Sequence, residues 1–386
     1  MLGEFRKDIK DYLSGHLIPP AINLAYIAIF TRIFPPSAYG KFILLMVTIN
    51  FCFNLSSTWI YNGIIRFYPE EKEKISKILF LLTLLSSLPF IFIFFFFEGI
   101  YFKLGALLFI LKSIFDNSLA FLQAQRKAKK FSAMQIAYSC LNLIFSFIFV
   151  KFLRIGLNGL VMGGIFAVLV LLFMLKEVKI EFYFEKKITK AMLNYGVPLT
   201  FSNLFSLSLI YIDRYFINFF LSEKEVGIYS VSYTLAERFI ILLTSLFVTA
   251  SRPICFQLYT KSKEQAVKYN KKILKIFVVI GLCLTLLIIT FSKLILKIFA
   301  GKEFWEGITI FPYITFSAFF FGLQKISETF ILLEKKTKIL LFIFMIACFL
   351  NIALNFVLIP KFGITGAAIS TFIAYLTLFI LTAINS

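Results

Sequence analysis

A chain of 386 residues that is 60% hydrophobic, with 52 Phe and only 16% charged residues, lies far outside the usage of soluble domains. Its apolar runs recur at about 20 residues, the length of a helical bilayer crossing, and runs such as LPFIFIFFFF (88–97) lack the alternation of outer-membrane barrel strands. The formal net charge of +20 does not call for nucleic acid, because basic loops in a membrane chain record orientation and favour anionic headgroups.

The predicted fold is all-α, a polytopic membrane bundle of about 12 transmembrane helices. The spans are expected at 12–34, 41–63, 77–97, 104–123, 131–151, 157–175, 196–221, 227–250, 272–298, 306–332, 338–359 and 362–383. The first run leads straight into further spans with no small-residue cleavage site, so it reads as a mature span. His16 lies near its start beside Pro19 and Pro20; the histidine reads as interfacial rather than as a proton switch, and the prolines either bend the helix or sit in a tolerant first turn. Span 2 ends near Arg66, and span 4 carries Lys112 and Asp116 at i,i+4. The basic turn QRKAKK (125–130) precedes span 5. The polar stretch KEVKIEFYFEKKITK (176–190) has six spans on either side, which sets an N-lobe at 1–178, a connection at 179–195 and a C-lobe at 196–386. Span 7 holds Pro198 and the adjacent Asp213 and Arg214, span 8 holds Glu237 and Arg238, and span 10 holds Lys325 and Glu328 at i,i+3. The basic connections KSKEQAVKYNKK (261–272) and EKKTK (334–338) complete an excess of positive charge on one side, which places both termini in the cytoplasm. Five cysteines are scattered through apolar runs with no metal or disulfide spacing and read as packing residues.

The two halves repeat each other. QRKAKKFSAMQIAYSCLNLIFSFIFVKFLRIGLNGLVMGGIF (125–166) aligns with EKKTKILLFIFMIACFLNIALNFVLIPKFGITGAAISTFI (334–373) through a basic turn, a Leu-Asn pair (Leu141-Asn142, Leu350-Asn351) and a G-x-x-G step (Gly156 and Gly159, Gly363 and Gly366). FPPSAYGKF (34–42) matches FLSEKEVGIYS (220–230) as the turn joining the first two spans of each half. Corresponding spans point the same way, so these are parallel repeats of the kind that build many transporters.

IDRYFINFFLSEKEVGIYSVSY (212–233), SRPICFQLY (251–259), LNIALNFVLIPKFGITGAAISTFIAYL (350–376) and IIRFYPEE (64–71) resemble signature segments of the Wzx-type lipid-linked oligosaccharide flippases. These are polysaccharide-biosynthesis exporters of the multidrug/oligosaccharidyl-lipid/polysaccharide (MOP) superfamily. The resemblance runs in order along essentially the whole chain. It implies two pseudo-symmetric six-helix lobes around a central cavity that opens alternately to each face. It also implies a cargo, an oligosaccharide on polyprenyl diphosphate moved to the outer leaflet of the plasma (inner) membrane for a surface polysaccharide such as O-antigen or capsule. Glycosyltransferases and a polymerase of the same pathway would be further partners beside membrane lipids. The two extra spans of the superfamily's lipid II flippases are not expected here.

An ionised side chain at mid-bilayer costs about 2.5–3.5 kcal/mol on insertion scales, so such groups face a bundle interior or a watery path. Neighbours on a helix diverge by about 100°, which predicts that Asp213 and Arg214 seek partners elsewhere, Asp213 with Arg238 and Arg214 with Glu237. Two readings stay open. The charges are neutral pairs that glue the bundle, or cations from each lobe, Arg214 with Lys112 or Lys325, face the cavity and attract the diphosphate, with Arg238 as a further candidate. Arg66 either meets the headgroup on entry or is an ordinary positive-inside anchor. Asp213 is the first candidate to carry a coupling proton or sodium ion, among the carboxylates Asp213, Glu237, Asp116 and Glu328.

A membrane sugar polymerase or ligase would need a sizeable outer loop and an acid–base or metal constellation, and neither is evident, so no enzyme, cofactor or metal is expected. No Walker A pattern is present. A multidrug antiporter of the same superfamily is the nearer alternative, and it would want surplus carboxylates facing its lumen.

Overall fold

The computed structural model of the protein describes residues 2–96, 99–175, 181–334 and 336–386, with side chains from 15 onward except that of His16. The readings placed on the His16 side chain and on residues 176–180 lie outside the described residues. Among the described residues every regular element is helical: α1 (Leu2–Phe30), α2 (Pro36–Phe67), α3 (Lys72–Phe95), α4 (Ile100–Ala124), α5 (Ala128–Phe147), α6 (Asn158–Met174), α7 (Lys186–Phe220), α8 (Glu223–Lys261), α9 (Lys263–Thr290), α10 (Ser292–Phe299), α11 (Phe311–Leu333) and α12 (Thr337–Ile384). A π-helical turn, Ile148–Phe152, extends α5, and a 3-10 stretch, Lys302–Ile310, leads into α11.

Nine of these helical segments among the described residues are long and apolar enough to cross a bilayer, and Leu17–Phe30 and Asn158–Met174 are shorter apolar helices. The 48-residue α12 contains two crossings, because Gly363 adopts φ 60, ψ −142 in its middle. Asn351 Nδ2 donates to Ser370 Oγ at 3.3 Å, and Ser370 Oγ donates to the Asn351 carbonyl at 3.0 Å. Nineteen residues of straight helix would separate those groups by about 28 Å, so the chain doubles back at Gly363. The expected spans are thereby accounted for in order, and the chain is a multi-pass membrane protein.

The sequence repeat is matched in these corners. Gly156 stands at φ 66 after α5, as Gly363 does within α12, and both use the left-handed region open to glycine. Ser146 lies one turn after Asn142, with its hydroxyl 3.3 Å from Asn142 Oδ1 and 3.4 Å from the Leu160 carbonyl. Asn355 lies one turn after Asn351 and donates to its Oδ1 at 3.0 Å. A methyl group on Gly159 would press on Phe149 and Val150, and one on Gly366 on the Leu358 carbonyl. Each hairpin thus closes on small residues and an interhelical polar contact, the usual device for helices surrounded by lipid.

Two compact units emerge, one of residues 1–26 with 42–204, the other of 27–41 with 205–386. The first has Trp59, Ile60 and Ile64 of α2 packed with Ile75, Ile78 and Met192. Within the second, the matched turns meet reciprocally: a methyl on Gly40 would strike the Glu223 carbonyl, and one on Gly227 the Pro36 carbonyl. Tyr39 packs edge-on to Phe304 at 5.9 Å, and Thr31 Oγ1 accepts from the Gly301 amide at 3.1 Å. In the same unit Ser222 caps α8 through the Lys224 amide at 3.1 Å, with Glu223 and Glu225 in the first turn where a carboxylate favours the helix dipole.

Candidate functional site

The buried charges of the second unit begin where α7 and α8 run side by side. Asp213 and Arg214 are 1% and 3% exposed. Arg214 Nη1 donates to Asp213 Oδ1 at 2.6 Å and to the Ile210 carbonyl one turn back. Tyr229 of α8 donates its hydroxyl to Asp213 Oδ2 at 2.5 Å. The guanidinium carbon lies 4.2 Å from the Tyr233 ring centroid, 5.2 Å from that of Tyr229 and 5.5 Å from that of Tyr211. The predicted cross-helix pairs are therefore corrected: Asp213 pairs with its neighbour Arg214, and neither reaches Arg238 or Glu237. The divergence of adjacent positions fixes only the Cβ directions, and a long arginine walled in by three aromatic faces folds back along its own helix. Arg214, which one of the two readings placed on the cavity and the other in a structural pair, is buried beneath those rings. Glu237 and Arg238 are half-buried and make no hydrogen bond or ion pair with a described residue, and the Arg238 Nε is buried without a partner.

Farther along α8 the helix continues past the predicted span end at 250, and this brings in a residue that the sequence reading missed. Arg252 Nη2 donates to Glu328 Oε1 at 2.9 Å and to the Lys325 carbonyl at 3.0 Å. Lys325 Nζ sits 3.2 Å from Glu328 Oε2, at the i,i+3 spacing, and Gln324 Nε2 donates to the same oxygen at 2.9 Å. One carboxylate thus collects two cations and an amide, while Lys325 also lies over the rings of Phe321 and Phe344 at 5.2 and 5.3 Å. The signal for Arg252 was in SRPICFQLY, an arginine among apolar residues beyond a span boundary drawn too short.

In the first unit Lys112 Nζ donates to Asp116 Oδ2 at 2.9 Å and to Oδ1 at 3.1 Å, and lies 5.0 Å above the Tyr138 ring. The pair lines a cavity of about 290 Å³ together with Gln135, Tyr138, Pro19 and Pro20. Its side chains are 25% and 22% exposed, an order of magnitude more than those of the Asp213–Arg214 pair. The paired prolines each remove a backbone donor from α1 at this point, which weakens the helix where it borders the cavity. The Lys112–Asp116 pair is open to the cavity, whereas Arg214 is enclosed. Arg66 is exposed on the surface at the end of α2 and pairs with Glu70 at 2.7 Å. Among the described residues no three His, Cys, Asp or Glu side chains gather as metal ligands.

The sequence profile of the family described as "Polysaccharide biosynthesis protein" matches residues 29–309. The chain is 27% identical over 226 residues to the "Putative O-antigen transporter" of Shigella flexneri, covering 56% of this chain and 52% of that protein. It is 25% identical over 256 residues to the "Capsular polysaccharide biosynthesis protein CapF" of Staphylococcus aureus, covering 62% and 63% of the two chains. The matched regions thus span between about half and under two thirds of these relatives. The fold is similar to an inward-facing multidrug resistance MATE family transporter of the MOP superfamily, with a TM-score of 0.75 at 13% identity over 97% of this chain and 96% of that one. At that identity the likeness speaks for the fold alone. With a profile match over most of its length and segments of the same kin in sequence order, the chain belongs to the polysaccharide biosynthesis protein family and has the fold of the MOP superfamily.

Proposed function

We propose that the protein is a membrane transporter of the flippase type, carrying a polyprenyl-diphosphate-linked oligosaccharide from the cytoplasmic to the outer leaflet by alternating access. Both termini are cytoplasmic in this reading, and the membrane is the plasma membrane. The observation that carries it is the profile match over residues 29–309 to a family of polysaccharide biosynthesis proteins, supported by relatives named for O-antigen transport and capsule synthesis. The chemistry comes from the Lys112–Asp116 pair. A diphosphate competes with Asp116 for the Lys112 ammonium. Asp213 is poorly suited to carry a coupling ion, because Arg214 and Tyr229 already occupy both of its oxygens. No covalent bond is made or broken, so the protein acts as a carrier rather than an enzyme.

The test uses cells that lack the gene. They should accumulate polyprenyl-linked oligosaccharide in the cytoplasmic leaflet, and the intact chain should restore export while Lys112→Ala, produced at the normal level, should not. No accumulation in the deletion strain, or full restoration by Lys112→Ala, would overturn the reading. Glu237, a half-buried carboxylate that makes no hydrogen bond or ion pair with a described residue, is the feature that favours a cation antiporter instead. Efflux of a cationic dye that is abolished by Glu237→Gln would support that second reading.

A further inference from the structure

Two turns of the first unit, at 68–71 and 125–127, each follow an even-numbered crossing and so lie on the same face of the membrane. Between them is a crevice of about 490 Å³ whose lining includes Tyr68, Lys72, Gln125, Arg126 and Lys127. Helix α4 ends there in a Schellman turn: the Lys127 amide donates to the Leu122 carbonyl at 3.0 Å and the Arg126 amide to the Gln123 carbonyl at 2.9 Å. The position between them calls for a left-handed residue, usually glycine, and here it is Arg126 at φ 57. An arginine held in that conformation is strained, and strain kept in a turn points to a ligand clamp when the side chain borders a cavity.

The charge balance points the same way. The nearby carboxylates Glu70, Glu71 and Glu73 are engaged by Arg66, Lys74 and Lys77 at 2.7, 3.1 and 2.8 Å. That leaves the exposed Lys72 and Arg126 with no anionic partner among the described residues, facing a common crevice. The buried Gln125 Oε1 beside them has no hydrogen-bond partner and suits a hydroxyl donor. The floor is rigid, since the buried Tyr68 packs edge-on to Phe121 at 5.1 Å and Tyr61 donates to Gln123 Oε1 at 2.7 Å.

We propose that this crevice binds a phosphate ester at the membrane surface, gripped by Lys72 and Arg126, with a neighbouring hydroxyl donating to Gln125. The proposal is independent of which cargo the protein carries. The phosphate belongs either to a hydroxyl-bearing anionic lipid headgroup or to a free phosphate.

The experiment takes the full chain in neutral detergent, stripped of lipid, and reads lipid retention by native mass spectrometry and unfolding by a thermal scan. Short-chain phosphatidylglycerol should be retained over phosphatidylcholine by about fivefold per engaged cation. Lys72→Gln and Arg126→Gly should each remove about that much preference. Arg126→Gly should also raise the unfolding midpoint measured without lipid, because glycine relieves the left-handed turn; a lower midpoint would mean that the arginine is structural and the proposal fails. Displacement of phosphatidylglycerol by millimolar pyrophosphate would identify the phosphate group as sufficient, and resistance to it would identify the intact headgroup as the ligand. Equal retention of the two lipids, or the double variant retaining phosphatidylglycerol at the wild-type level, would overturn the proposal.

Discussion

Asp213 and Asp116 each accept a hydrogen bond from a cation on their own helix, at 2.6 and 2.9 Å, yet the side chains of the first pair are 3% exposed or less and those of the second about a quarter exposed. The difference comes from the neighbours. Tyr211, Tyr229 and Tyr233 roof the first pair, and Tyr229 takes the second carboxylate oxygen. A single ring, Tyr138, flanks the second pair, whose remaining surroundings are an open cavity. Ionic groups inside a bilayer thus divide into those that fix the helices and those that remain available to a solute, and distance alone does not tell them apart.

The sharpest way to break this comparison is to remove one partner of the sealed pair. Asp213→Ala leaves Arg214 buried without a counter-ion and should cost about 3–5 kcal/mol of unfolding free energy, whereas Asp213→Leu with Arg214→Met should retain most of it. Chemical denaturation in detergent measures both, and a wild-type stability for Asp213→Ala would remove the distinction. Glu328 is the intermediate case, because its own side chain is 7% exposed, between the values of Asp213 and Asp116, while Arg252 and Lys325 are each 27% exposed. Glu328→Ala should cost about 1–3 kcal/mol in the same experiment. Asp116→Asn belongs at the open end: its stability should fall by under about 1 kcal/mol, while cargo export drops by about tenfold or more. A loss of stability comparable to that of Asp213→Ala would place Asp116 with the structural pairs.

The smallest effect is expected outside the membrane, where hydrogen bonds from Lys263 and Lys336, and then their charges, hold the Glu334 carboxyl down at about 2 from its ordinary 4.5. A depressed carboxylate stabilises the fold above its unfolded value and loses that contribution as pH falls from about 4.5 towards 2. The difference in thermal midpoint between the wild type and Glu334→Gln should be present at pH 6 and vanish across that window. A difference that persists to pH 2 would show that the pair acts through packing.

What the sequence made legible follows the same physical divide. Crossing number, order and the halves' repeat could be read because bilayer thickness and the G-x-x-G corners impose them on local sequence. The pairs Lys112–Asp116 and Lys325–Glu328 could be read because both members ride one helix at fixed spacing. The partners of Asp213 could not be read from helical geometry alone, since they depend on which rings crowd the arginine. Even so, the tyrosines at i,i+4 in GIYSVSY, hydroxyls facing one way inside a span, were a usable clue. Arg252 was hidden because apolarity marks where the membrane ends and not where the helix does, and α8 runs eleven residues past the predicted span end at 250, to Lys261.

The doubling-back of α12 at Gly363 bears on how the chain enters the bilayer. A lone crossing that carried Asn351 and Asn355 would bring two amides into hydrocarbon with only each other to bind. The corner delivers Ser370 from the following limb to Asn351 within the same stretch of nascent chain. These last two crossings therefore suit insertion as one pre-paired hairpin, and a side chain that forbids the left-handed turn at Gly363 would be felt first in biogenesis rather than in transport.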